Sequence, residues 1–133
     1  TGGILGEAGL VGACPLGSDA DPGMVAGCRL NYPALPLLLA DATALPVRSG
    51  SLDAVVTELP YGQSSRILDR SLEDLYPRAL GEIHRVLRPC RRAVVVTHRE
   101  IAGIGGAFFT VLQVHRQRVH RSLTRRITVL AKE

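Results

Sequence analysis

The sequence predicts an α/β domain: a mainly parallel sheet, covered on both faces, that ends in an antiparallel hairpin. Three observations lead there. Short, nearly continuous apolar runs alternate with helix-patterned segments, as expected of strands buried on both faces. Acidic residues recur where those runs stop, at Asp19, Asp41 and Glu58, and in open α/β sheets that edge is where ligands bind. From Phe108 onward, two β-rich runs surround a basic stretch over residues 115–126, the pattern of a terminal strand pair.

Each element has a local cause. Thr1-Gly2-Gly3 reads as the end of a glycine loop that opens a short helix over residues 3–12, rich in Gly, Ala and Leu. Residues 13–18 form a short apolar strand interrupted by Pro15. Asp21-Pro22 starts a helix running to Asn31, with Asp as the cap and Pro at the first position. Residues 37–40 and 52–57 are apolar strands. The strongest helix spans residues 71–87. Ser71 caps it, Asp74 is its capping-box partner, and Leu72, Leu75, Ala79, Leu80, Ile83 and Leu87 make an apolar stripe. A strand over residues 91–97 has a Val94-Val95-Val96 centre, and residues 108–119 and 123–131 form the hairpin.

With 133 residues the chain holds one domain with a single core, 46% hydrophobic but only 4% aromatic. No apolar run reaches the roughly 18 residues of a membrane span, so no membrane partner is expected. Cys14, Cys28 and Cys90 are odd in number and widely spaced. They read as reduced thiols of a cytoplasmic protein, and no metal site is expected. Charge is unevenly divided. Residues 1–62 carry two Arg against six acids, whereas residues 63–133 carry thirteen Arg and one Lys against six. An Arg-rich half suits phosphate contacts, and equally a solvated surface.

The most informative segment is Glu58-Leu59-Pro60-Tyr61-Gly62, directly after a strand. An acidic side chain and a backbone carbonyl can accept the two hydrogens of an exocyclic base amine. A proline holds that carbonyl, and an aromatic face stacks on the base. Such acceptors localise the amine lone pair and stabilise the positive charge that develops on the nitrogen as it is alkylated.

The order and spacing of Thr1-Gly2-Gly3-Ile4-Leu5, Gly17-Ser18-Asp19-Ala20-Asp21, Asp41-Ala42, Pro60-Tyr61-Gly62, Glu82-Ile83-His84-Arg85-Val86-Leu87-Arg88-Pro89 and His120-Arg121-Ser122-Leu123-Thr124-Arg125 resemble a Rossmann-like class I S-adenosylmethionine-dependent methyltransferase. Within that class the chain is most similar to the archaeal-type RNA guanine-N2 methyltransferases, whose catalytic domain follows a THUMP domain. The resemblance covers almost the whole chain. It implies a first strand and an RNA-binding domain upstream, so residues 1–133 are expected to be a partial catalytic domain lacking that strand. It implies S-adenosylmethionine as cofactor, held by Thr1, Gly2, Gly3, Asp19, Ala20, Asp41 and Ala42. Asp19 would accept from the ribose hydroxyls and Asp41 from the adenine amine. The catalytic lip would be Glu58, Leu59, Pro60 and Tyr61. RNA, tRNA by class, would be contacted by Gln63, Ser64, Arg66, His120 and Arg121. The family's lip reads Asp/Asn-Pro-Pro-Tyr/Phe. Leu59 therefore replaces a proline, which predicts a less restrained loop, and Glu58 adds a methylene to the carboxylate. Cys90 stands where related chains have glycine. Two alternatives stay open: a DNA amino-methyltransferase acting on adenine N6 or cytosine N4, and a non-catalytic module of the same fold binding RNA or a protein partner.

Overall fold

A computed structural model describes residues 2–60 and 72–133, which divide into two compact units, Thr1–Pro46 and Val47–Glu133. No helix among the described residues is long and apolar enough to cross a membrane.

The first unit runs α1 (Gly3–Leu10), β1 (Gly17–Asp19), α2 (Pro22–Asn31) and β2 (Leu37–Leu39), with β1 and β2 parallel. The opening of α2 follows its sequence signal: Asp21 caps it by accepting from the Gly23 N–H at 2.7 Å, and Pro22 takes the first position. Val25 and Cys28 are its buried residues. β1 is shorter than the apolar run that predicted it, starting only at Gly17. That residue lies close against Leu5 and Leu37, where a Cβ would meet the Leu37 side chain at 2.8 Å.

The second unit runs β3 (Leu52–Glu58), α3 (Leu72–Val86), β4 (Leu87–Thr97), α4 (Ala102–Gly105), β5 (Thr110–His120) and β6 (Leu123–Ala131). Its four strands are ordered β3-β4-β6-β5, with β3 and β4 parallel and both pairs involving β6 antiparallel. The expected terminal hairpin is present.

Leu75, Tyr76, Ala79, Leu80, Ile83 and Val86 on α3 pack with Ala93, Val95 and Thr97 of β4, Thr128 and Leu130 of β6, Ile101 and Phe109 to make the core. The opposite face of this sheet, including Val94, Val96, Ile127 and Val129, is only half-buried, and Val56 is 50% exposed. Within this unit the described residues therefore cover one face, where cover on two was expected. Lys132 braces the assembly by donating to the carbonyls of His84 (2.6 Å) and Leu87 (2.8 Å), closing the carboxyl end of α3 with a cation where the helix dipole favours one. The capping box proposed for Ser71 lies outside the described residues.

Cys90, with φ 61°, turns the backbone within β4, where the register against β3 shifts. A left-handed backbone costs a residue with a Cβ about 1–2 kcal/mol, a physical ground for the glycine that the resemblance leads one to expect there. Cys90→Gly removes that strain and returns part of it as unfolded-chain entropy. It is expected to stabilise the protein by about 0.5–1 kcal/mol, raising Tm by a few degrees. A calorimetric Tm that stays level or falls would contradict this account of the turn.

Candidate functional site

In the first unit, the register sets Asp19 opposite Leu39, so β1 and β2 end together. The Ala40 N–H donates to the Asp19 carbonyl at 2.9 Å and carries the ladder one step further. Asp19-Ala20-Asp21 and Asp41-Ala42 thus leave the same end of the strand pair. Asp19 Oδ1 accepts from the Asp21 N–H at 2.9 Å. Its second oxygen accepts nothing from the described residues, and the side chain is exposed. A carboxylate in that state can take a pair of hydroxyls. Asp41 Oδ1 accepts from both the N–H and the hydroxyl of Thr43, each at 2.8 Å, the local turn that aspartate favours.

The two glycines part company. Gly2 precedes α1 with φ 93°, and a Cβ there would lie 2.7 Å from Cys28 Sγ and 2.9 Å from the Tyr32 ring. Packing against the end of α2 accounts for Gly2. Gly3 has open space where its Cβ would be, so a ligand can approach the backbone there. Thr1 lies outside the described residues.

In the second unit, Glu58 is the last residue of β3. The Leu59 N–H donates to the Val96 carbonyl at 2.9 Å, one residue beyond the strand, and the Leu59 side chain is only 2% exposed. The Pro60 carbonyl accepts from the Tyr76 hydroxyl at 2.9 Å. The loosening expected from losing a proline at position 59 is therefore offset by an anchor on each side of Leu59. Glu58 Oε1 lies 3.7 Å from the Arg125 guanidinium, both side chains being rather more than one-third exposed. An ion pair that wet is worth well under 1 kcal/mol in stability, but it draws the longer carboxylate toward β6. Tyr61, Gln63, Ser64 and Arg66 lie outside the described residues.

Residues 1–127 match the family UPF0020, described as RMKL-like, methyltransferase domain. The chain belongs to that family. The UPF0020 chain is 32% identical over 139 residues to a tRNA (guanine(10)-N2)-dimethyltransferase of Methanothermobacter thermautotrophicus, covering 99% of this chain and 41% of the relative. It is 38% identical over 112 residues to a demethylmenaquinone methyltransferase of Thermus thermophilus, covering 81% of this chain and 46% of that one. It thus spans less than half the length of either. Among solved structures, the N-methyltransferase NodS from Bradyrhizobium japonicum in complex with S-adenosyl-L-homocysteine superposes with a TM-score of 0.77 at 10% identity. That match covers 98% of this chain and 72% of NodS, a likeness of fold.

The carboxyl edge of the UPF0020 chain's larger sheet is basic. Thr97 and Arg126 pair across β4 and β6, and Arg116 pairs with Arg126 across β6 and β5. The Arg126 guanidinium donates to the His98 carbonyl, and buried Thr97 donates its hydroxyl to the Arg99 carbonyl at 2.7 Å. Burial, helped by the charges of Arg99 and Arg126, holds the His98 imidazole below its ordinary pKa. His84, set against Phe108 and Phe109, is also lowered, first by burial and then by Lys132. His120 and Arg121 sit exposed where β5 turns into β6, with the Ser122 N–H donating to His120 Nδ1 at 3.3 Å.

One residue, Tyr76 of α3, and one contact, that of Arg125 with Glu58, escaped the sequence reading. Tyr76 lies at the right spacing from Ala79, Leu80 and Ile83 to belong to the apolar stripe, and that pattern could have found it. The approach of Arg125 on β6 to Glu58 on β3 crosses β4 and leaves no local signal.

Proposed function

We propose that this chain is the catalytic portion of an S-adenosylmethionine-dependent methyltransferase acting on the N2 amine of guanosine in RNA, with tRNA as the substrate. The observation that carries the reading is Glu58 at the carboxyl end of β3, followed by a backbone anchored on both sides of Leu59. The family match and the relative named for tRNA guanine-N2 dimethylation support it.

The cofactor supplies an electrophilic methyl group. Asp19, with one carboxylate oxygen open, would hold the ribose diol, and the open side of Gly3 would admit the methionine portion near the start of α1. Glu58 and the Leu59 carbonyl would accept the two amine hydrogens, localise the nitrogen lone pair, and stabilise the cationic nitrogen as it forms. The nitrogen then loses a proton, which the Glu58 carboxylate can take on its way to solvent. Tyr61 would stack on a base flipped out of its helix. The hairpin cations, His120 and Arg121 among them, would meet phosphates.

A second reading rests on the 38% identity to the demethylmenaquinone enzyme: a small-molecule acceptor. The amine-binding sequence of the lip and the Arg-rich hairpin favour RNA. The test uses the intact protein, labelled S-adenosylmethionine, and in turn bulk tRNA, DNA and quinol acceptors. Label recovered as N2-methylguanosine supports the first reading. Label in DNA bases or quinol, or cofactor binding without transfer, overturns it.

The same protein tests Asp19. Asp19→Ala removes charge-assisted acceptors worth about 1.5–3 kcal/mol, so cofactor affinity by calorimetry is expected to fall roughly ten- to hundredfold. Unchanged affinity would remove Asp19 from the cofactor site.

A further inference from the structure

We infer that Tyr76 is a positioning residue for methyl transfer, its hydroxyl fixing the Leu59–Pro60 backbone through the Pro60 carbonyl. The inference rests on the reading of Glu58, Leu59 and Pro60 as the lip that receives the amine. Leu59 stands where the family has a proline, so the carbonyl that should accept an amine hydrogen belongs to a residue with a free φ. Two hydrogen bonds restore the restraint. On one side the Leu59 N–H donates to the Val96 carbonyl of β4 at 2.9 Å. On the other the Tyr76 hydroxyl donates to the Pro60 carbonyl at 2.9 Å. The Leu59 carbonyl lies between these anchors.

Tyr76 suits the part. It is 2% exposed, in the buried row of α3 with Ala79, Leu80 and Ile83, so its ring has little freedom to swing away. Burial raises its pKa, against the opposing charge of Arg99, which keeps the hydroxyl protonated and a donor. The bond joins residues 16 apart in sequence and ties the lip to the helix that anchors the core. Pro60 is itself only half-buried, so water can replace the hydroxyl energetically without reproducing its direction. The hydroxyl should therefore matter more for geometry than for stability.

Tyr76→Phe keeps the ring and deletes the donor. In the intact protein on bulk tRNA, kcat is expected to fall roughly 3- to 10-fold, the worth of one neutral hydrogen bond expressed in the transition state. KM for RNA, cofactor affinity and Tm should stay near the parent's, the pattern of an interaction realised chiefly in the transition state. Placing p-aminophenylalanine at position 76 returns a donor to the same point of the ring and should restore most of kcat. An unchanged kcat in Tyr76→Phe, a matching loss of cofactor affinity, or a variant that no longer folds would each overturn the inference. The parent's own activity separates this failure from the other. A parent that transfers no methyl to RNA refutes the functional reading, whereas an active parent matched by Tyr76→Phe refutes only the positioning role.

Discussion

Glu58→Ala is expected to slow methyl transfer to RNA by roughly 10²- to 10³-fold, the usual cost of deleting one preorganised group at the charge that develops in the transition state. The carboxylate matters because the amine nitrogen gains positive charge as it takes the methyl, and a fixed anion at its hydrogens grows more favourable along that path. Two features set the size of the effect. Glu58 is 38% exposed, so water screens part of its charge and pulls the loss toward the lower end. Arg125, 3.7 Å away, competes for the carboxylate while holding its extra methylene in one direction. Glu58→Gln, which retains an acceptor without charge, should fall between the parent and Ala. Cofactor affinity should not follow, since Asp19 belongs to another part of the chain. Single-turnover transfer of labelled methyl is the measurement. An Ala variant as fast as the parent would show that Glu58 does not face the reacting nitrogen.

What the sequence revealed of this fold follows the range of the forces involved. Asp21-Pro22 sets the start of α2 through contacts within three residues, and such a signal is complete in the local sequence. The apolar runs over residues 37–40 and 52–57 likewise mark β2 and β3, whereas the run over residues 13–18 marks only where β1 ends, since that strand is Gly17-Ser18-Asp19. Elements shorter than their own period are another matter. α4 has four residues, Ala102–Gly105, too few for a helical stripe, and it passed unnoticed. β4 starts four residues before the strand the sequence predicts, since Arg88-Pro89-Cys90 has no apolar pattern; the register against β3 shifts across this stretch, with pairing on both sides of it. The candidate site divides in the same way. Acidic residues at strand ends are visible as positions, but the bonds that orient the lip span 16 residues to Tyr76 and cross β4 to reach Arg125. The brace from Lys132 to His84 spans 48. These belong to tertiary packing and have no local spelling.

Leu59→Pro shows how far that difference reaches. By resemblance alone, restoring the family's proline together with Glu58→Asp should tighten the lip and raise turnover. The structure sets a cost in stability against that expectation. The Leu59 N–H is a donor to the Val96 carbonyl; proline has none, and leaving that carbonyl unsatisfied costs about 1–3 kcal/mol. The Leu59 side chain is 2% exposed, and the smaller pyrrolidine ring leaves part of its site empty, a further ~1–3 kcal/mol on the scale of core truncations. Against these stands an entropic gain of roughly 0.4–1 kcal/mol from stiffening the unfolded chain. The net is a destabilisation of about 2–4 kcal/mol, a large share of the 5–15 kcal/mol by which domains are usually stable. Denaturant unfolding of the intact protein should therefore show a lower midpoint for Leu59→Pro and for the double variant alike, with Glu58→Asp alone close to the parent. A Leu59→Pro midpoint equal to the parent's would mean that the lip can shed its anchor to β4 without cost. The chain would then have reached its present lip by drift, with no compensation built around Leu59.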